Sequence, residues 1–169
     1  GGSQVDAEMV SARRQVSGRN RPGPRGEPEV SIDIRHVRPG DEPLFRRIAA
    51  EVFDHRVVPK NLFEYLATPG HHLVVAISGG EVVGQVAAVV HRHPDGSRQE
   101  IFIDEVAVTP ALQRQGIAGR MLDRMIALGR ELGCQEAWLG TEPDNVPARE
   151  LYARRGSEAE PVVMYTFKL

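Results

Sequence analysis

From Val106 to Arg120 the chain reads Val-Ala-Val-Thr-Pro-Ala-Leu-Gln-Arg-Gln-Gly-Ile-Ala-Gly-Arg, a composition suited to holding an anion. Glycine lets the backbone approach a ligand closely, the first amides of a helix have no intrahelical partner, and the helix dipole favours negative charge there. Arg114 and Arg120 can add charge-assisted hydrogen bonds to phosphate oxygens. Two familiar phosphate-binding patterns do not fit. A P-loop ends in Gly-Lys-Ser/Thr, and no lysine is near; the dinucleotide fingerprint needs three glycines at fixed spacing and an acidic residue after the next strand. A glycine-rich helix start alone fits a solvated loop equally well, so the flanking residues decide.

The elements that must position this stretch alternate in period. Residues 31–37 place Ile32, Ile34 and His36 on one face at period two, which predicts a strand. Asp41 as N-cap and Pro43 in the first turn predict a helix to about residue 54, with Leu44, Phe45, Ile48, Ala49 and Phe53 at helical spacing. A short helix is predicted over residues 59–67, then strands over 72–78 and 81–90 joined by Gly79-Gly80. Pro94-Asp95-Gly96 reverses the chain into a strand over 99–108. After Pro110, Ile117, Met121, Met125, Leu128 and Leu132 form a helical stripe that Gly133 ends. A short strand over 136–140, a helix over 146–155 stopped by Gly156 and a last strand over 162–167 complete the reading. The strand-helix-strand order around the long helix predicts one parallel pair on an otherwise antiparallel sheet, an α/β (α+β) fold with flanking helices.

These motifs resemble a known family, the GCN5-related N-acetyltransferases (GNAT). Its acyl-CoA loop follows Gln/Arg-x-x-Gly-x-Gly/Ala, matched by Gln113-Arg-Gln-Gly116-Ile-Ala118 after the strand ending Glu105-Val-Ala-Val108. A second family motif is matched by Asn145-Val-Pro-Ala-Arg-Glu-Leu-Tyr152-Ala-Arg-Arg-Gly156. The resemblance covers residues 31–169. Within the family, Glu100-Ile-Phe-Ile-Asp-Glu-Val-Ala-Val108 with the loop after it looks most like the aminoglycoside 3-N-acetyltransferases of type I. Those enzymes carry Tyr-Asp where this chain has Asp104-Glu105, a departure that bears on how the acceptor is held.

The resemblance implies a GNAT fold in which the parallel strands, here 100–108 and 135–140, splay into a V that takes the pantetheine arm of acetyl-CoA. It implies cofactor contacts from Val106, Ala107 and Val108, from Gln113, Arg114, Gln115, Gly116, Ile117, Ala118, Gly119 and Arg120, and from Asn145 and Tyr152. The reaction needs a neutral amine, a base to take its proton and a donor to the oxyanion. Glu105 is the candidate base. At period two it shares a face with Ile101, Ile103 and Ala107, and a carboxylate among apolar neighbours is desolvated toward a higher pKa. A structural ion pair is the other reading of Glu105, and Asp104 points the opposite way unless a bulge intervenes. By resemblance the Val106 N–H is the oxyanion donor and Tyr152 the general acid for the thiolate, while Asn145 binds pantetheine, caps its helix, or both.

A polycationic aminoglycoside needs carboxylates along an open cleft, and Glu51, Asp54, Asp104, Glu142 and Asp144 are the candidates. Each equally fits a solvated surface acid. Cys134 reads as a small buried hydrophobe, and a lone cysteine excludes an internal disulfide or a Cys-based zinc site. His71, His72, His91 and His93 read as ordinary loop and strand residues, so no metal is expected.

The 169 residues, 41% hydrophobic and 26% charged with net charge −2, fit one globular domain over residues 31–169 behind an Arg/Gly/Pro-rich tail, residues 1–30. No apolar run is long enough for a membrane span, and no global basic field recruits nucleic acid. A cytoplasmic setting, a small-molecule amine acceptor and possible homodimer assembly, as a means of holding the tail, are the expectations. Two other functions stay open: an acetyltransferase of the same fold acting on a protein N-terminus, lysine or small polyamine, and a non-catalytic acyl-CoA-binding regulatory module whose tail contacts nucleic acid.

Overall fold

The computed structural model describes residues 31–96 and 98–169, so the tail assigned to residues 1–30 lies outside the described residues. Five strands, β1 (Asp33–Val37), β2 (His71–Ser78), β3 (Glu81–Arg92), β4 (Gln99–Val108) and β5 (Glu136–Trp138), form one sheet in that spatial order. All neighbours run antiparallel except β4 and β5, which are parallel. The helix between those two, α2 (Ile117–Glu131), makes the crossover that a parallel pair requires. Helices α1 (Pro59–Ala67) and α3 (Val146–Ala153) complete the described elements together with two short 3-10 turns. No helix among the described residues is long and apolar enough to cross a membrane.

Each face of the sheet has its own core. Against one face α2 packs Ile117, Met121, Leu122, Met125 and Leu128 onto Val74, Ala76, Val86, Ala88, Ile101 and Ile103. The other face holds Leu62 and Leu66 of α1, with Val52, against Leu73, Val75, Val82 and Ala87. Burying each of the valine, leucine, isoleucine and methionine side chains among them stabilises the fold by roughly 1.5–3 kcal/mol. Gly84 lets α2 sit this close, because a Cβ there would lie 2.8 Å from Met121 Cε and 3.0 Å from the Ala107 carbonyl oxygen. Cys134 packs at the edge of the α2 core, as a small hydrophobe should.

Three sequence expectations change. Residues 41–54 do not form a helix: a 3-10 turn spans Glu42–Arg46, and the chain then joins β3. The Ala49 N–H donates to the Val82 carbonyl and the Val82 N–H to the Arg47 carbonyl, both at 2.9 Å, so strand-like pairing takes the backbone groups a longer helix would have used. Asp41 does not cap with its side chain, which accepts from the Arg38 N–H at 2.9 Å. Leu132 is the exposed C-cap of α2 rather than part of its buried stripe. Residues 162–167 join no strand among the described residues, and Val162, Met164, Tyr165 and Phe167 stand open to solvent. β5 is only three residues long and offers a returning strand little ladder to pair with.

His36 and His72 lie on adjacent strands with Nε2 and Nδ1 3.4 Å apart. Burial lowers the pKa of both, and each His36–His72 or His72–His71 proximity adds to it. A cation disfavoured in the folded state means that the unfolded chain binds more protons below the ordinary value of 6.5. That stability is complete above 6.5 and falls as pH drops below it. Urea unfolding should show a midpoint declining from about pH 7 to about pH 5. The decline should be smaller in His72→Gln, and parallel curves for the two proteins would count against it.

Candidate functional site

The site forms where β4 loses a neighbour. β3 pairs with β4 along its whole length, whereas β5 pairs only through Glu136, Ala137 and Trp138, opposite Glu100, Ile101 and Phe102. From Ile103 onward no strand among the described residues covers that edge, which is the expected splay, although β5 ends at Trp138 and not at residue 140. The antiparallel alternation fixes which backbone groups are left over. The Thr109 N–H donates to the Val83 carbonyl at 2.9 Å, so Gln85 and Ala107 exchange hydrogen bonds while the Val106 and Val108 amides point to the open edge. Val106 and Val108 can therefore pair with an amide-bearing arm as a strand would. Ala107 cannot, because its backbone groups face β3.

A bulge in β4 sets the side chains. Ala88 pairs with Ile103 and Ala87 with Glu105, leaving Asp104 as the extra residue. Ile101 and Ile103 before the bulge, and Val106 and Val108 after it, face the α2 core. Glu105, opposite Ala87 of the α1 core, takes the other face. The straight period-two expectation that grouped Glu105 with Ile101 and Ile103 is therefore corrected. Glu105 and Asp104 are both exposed, so desolvation among apolar neighbours does not describe Glu105.

What holds Glu105 is a residue the sequence reading passed over. The Gln85 side-chain amide donates to Glu105 Oε2 at 2.8 Å and to the Val52 carbonyl at 3.3 Å. Gln85 is 1% exposed, and its Oε1 is buried without a hydrogen-bond partner among the described residues. As the sole polar residue in the apolar run from Val82 to Val90, it carried a readable signal. On the same side, the Tyr65 hydroxyl donates to the His72 carbonyl at 3.0 Å. Burial, then the carboxylates of Asp104 and Glu105, raise its pKa, which keeps it a donor. Phe102 and Trp138 stack with centroids 4.2 Å apart at the last β4–β5 rung, where the splay opens.

The anion loop takes the shape its glycines allow. A 3-10 turn over Pro110–Leu112 leads to Arg114 and Gly116, both in left-handed conformation at φ 61° and 77°. The Gln113 side-chain amide donates to the Val108 carbonyl at 3.0 Å, fastening the loop to the strand end. The Arg120 N–H, bonded to the Gly116 carbonyl at 3.1 Å, begins the helical ladder. The amides of Ile117, Ala118 and Gly119 precede it and are the anion-ready groups. Gln115 and Arg114 are exposed beside them. The Arg120 guanidinium, expected on the phosphates, instead donates to the Ile32 carbonyl at 3.0 Å and ties α2 to the entry of β1. Gly119 lies under the Arg155 guanidinium, which bonds Asp123 at 2.7 Å and so clamps α3 to α2.

Tyr152 on α3 is half-buried against the α2 core, and burial raises its pKa, so its hydroxyl is protonated at neutral pH. Asn145 caps α3, its side-chain oxygen accepting from the Ala148 N–H at 3.3 Å. The five acidic candidates do not converge. Asp104 and Glu105 stand together on β4, while Asp54 lines a separate cleft of about 580 Å³ with Phe45, Phe53 and Arg46. Glu51 is exposed at φ 59°, outside that cleft's lining, and Glu142 and Asp144 lie in the exposed turn before α3.

Gly116→Val tests the loop. A Cβ at Gly116 meets no atom within 4 Å, but a β-branched residue is strained at φ 77°, so the loop backbone that presents the free amides must shift. Calorimetry should find coenzyme A affinity lowered at least tenfold in a folded variant, whereas unchanged affinity would place the anion site elsewhere.

Comparison with known proteins agrees with this geometry. Residues 41–156 match the acetyltransferase (GNAT) family. A rat protein, N-acetyltransferase 8B, is 30% identical over 92 residues, 54% of this chain and 41% of its own length. An uncharacterized N-acetyltransferase of Mycobacterium bovis is 22% identical over 107 residues, and the match spans 65% of that protein. The chain thus covers less than two thirds of these relatives. The fold is shared with an aminoglycoside acetyltransferase from an uncultured soil metagenomic sample, at TM-score 0.70 and 22% identity over 83% of this chain and 99% of that one. It is shared too with aminoglycoside N-acetyltransferase AAC(6')-Iy in complex with CoA, at TM-score 0.65 and 21% identity over 87% and 99%. With the splayed β4–β5 pair, the glycine loop and the family match over most of its length, this chain belongs to the acetyltransferase (GNAT) family.

Proposed function

We propose that this domain is an acetyl-CoA-dependent N-acetyltransferase whose acceptor is an aminoglycoside, acetylated at its 3-amino group. The observation that carries the acceptor class is the bulge at Asp104, which sets two exposed carboxylates, Asp104 and Glu105, side by side on β4. A polycationic amine is held by such a pair, and each well-placed carboxylate contributes on the order of 1–3 kcal/mol through a charge-assisted hydrogen bond. The 3-amino position rests on the resemblance of residues 100–118 to the type I enzymes. Aminoglycoside acetyltransferases of the same fold, one of them in complex with sisomicin, support the class and not the position.

In this reading the family resemblance and the geometry together give each residue a role. Acetyl-CoA lies along the open edge of β4, its phosphates on the amides of Ile117, Ala118 and Gly119, its amide-bearing arm beside Val106 and Val108. Glu105 takes the proton of the acceptor ammonium, its carboxylate fixed by the Gln85 amide. The Val106 N–H donates to the thioester oxygen as negative charge develops there. Tyr152, protonated at neutral pH, returns a proton to the departing thiolate.

A thiol-release assay across aminoglycoside, peptide and polyamine acceptors tests the reading. Glu105→Gln should lower turnover by roughly 10²–10⁴ with coenzyme A affinity unchanged. Raising ionic strength from ~0.05 to ~0.5 M should raise the acceptor KM more than the acetyl-CoA KM, and Asp104→Asn should reduce that difference. Turnover with a peptide amine alone, at a salt-independent KM, would replace the aminoglycoside reading, and no turnover with any amine would leave a binding module.

A further inference from the structure

No metal is expected from the sequence, yet the far end of the β3–β4 hairpin brings three ligand side chains together. His91 and His93 are two apart on β3 and its continuation, hence on one face, and Glu100 of β4 is the register partner of His91. Their ligand atoms all lie within 4.8 Å of one another, and the two imidazoles stack with centroids 4.7 Å apart. We infer that His91, His93 and Glu100 form a binding site for a borderline divalent cation of the zinc type, remote from the acyl-transfer site.

Two observations favour a cation over a plain hydrogen-bonded cluster. The His93 Nε2 is buried and has no hydrogen-bond partner among the described residues; the Glu100 Oε1 carboxylate oxygen stands 3.5 Å away. That span is long for a hydrogen bond, yet it falls within the separation of about 3.3–3.6 Å between two tetrahedral ligands with bonds of ~2.0–2.2 Å to one ion. Two imidazole nitrogens and a carboxylate oxygen are also a donor set that suits zinc, with water completing the four.

The neighbouring charge is accommodated. Arg98 Nε lies 3.6 Å from Glu100 Oε1, but the same guanidinium reaches Glu136 at 3.3 Å. Arg98 therefore keeps a carboxylate partner when Glu100 turns to a cation. An ion here would pin the first rung of β4 to the end of β3, on the hairpin from which β4 runs to the bulge at Asp104.

Chelator-treated full chain, free of coenzyme A, should be titrated with Zn²⁺ by calorimetry and with Co²⁺ by visible absorption. One equivalent should bind, and His93→Gln and Glu100→Gln should each weaken binding at least tenfold. His72→Gln, which alters the other close histidine pair, should leave the titration unchanged. Long-range ¹H–¹⁵N spectra of the unmutated chain make the test independent of how the variants fold: Zn²⁺ should shift the ring nitrogens of His91 and His93 and not those of His36 and His72. No binding at one equivalent, equal binding by the His93 and Glu100 variants, or ring shifts elsewhere would each overturn the site.

Discussion

Backbone N–H and C=O groups must find partners, and β4 can satisfy its own on one side only once it passes Phe102. β3 takes every second amide and carbonyl, and β5 stops at Trp138. The Val106 and Val108 amides are left facing an edge that no described strand covers. A continuous ladder would have closed the gap and left no place for a ligand with amides of its own. The partial pairing is therefore the feature from which the rest of the site follows: the gap lies at the end of β4, the loop fastened by Gln113 begins there, and the free amides of α2 stand just beyond.

The second consequence concerns side chains. A sheet alternates faces strictly, so two adjacent residues cannot ordinarily serve the same side. The extra residue at Asp104 relaxes that rule locally and separates two tasks along one strand. Before it, Ile101 and Ile103 anchor β4 to α2; after it, Glu105 turns to the other face while Val106 and Val108 stay on the core. Glu105 is exposed, so its carboxylate is fixed by the buried Gln85 amide and not by an apolar pocket. An exposed acid pair attracts cations over a range set by salt, which suits selection of a multiply charged amine and costs little in desolvation.

The elements with regular periodicity were legible in the sequence. β4 and α1 fall on the expected residues, and the α2 stripe is buried at Ile117, Met121, Met125 and Leu128. The glycine turn and the helix start after it were legible as well, because left-handed glycine and a helix start are written in local sequence. What misled was tertiary. Leu44, Phe45, Ile48, Ala49 and Phe53 have helical spacing, yet pairing of Arg47 and Ala49 with Val82 draws that segment onto β3. The bulge at Asp104 is a property of two strands in register and leaves no mark in β4 alone. The place of Arg120 on the helix points to phosphate, and only the fold reveals the Ile32 carbonyl within its reach.

Amide hydrogen exchange at three consecutive residues tests the one-sided pairing of β4 most directly. In the free chain Ala107, bonded to Gln85, should exchange slowly, while Val106 and Val108 on either side exchange fast. Coenzyme A should slow Val106 and Val108 and leave Ala107 as it was. Slow exchange at all three residues in the free chain, or fast exchange at Val106 and Val108 that coenzyme A does not change, would contradict the open edge on which the site is built.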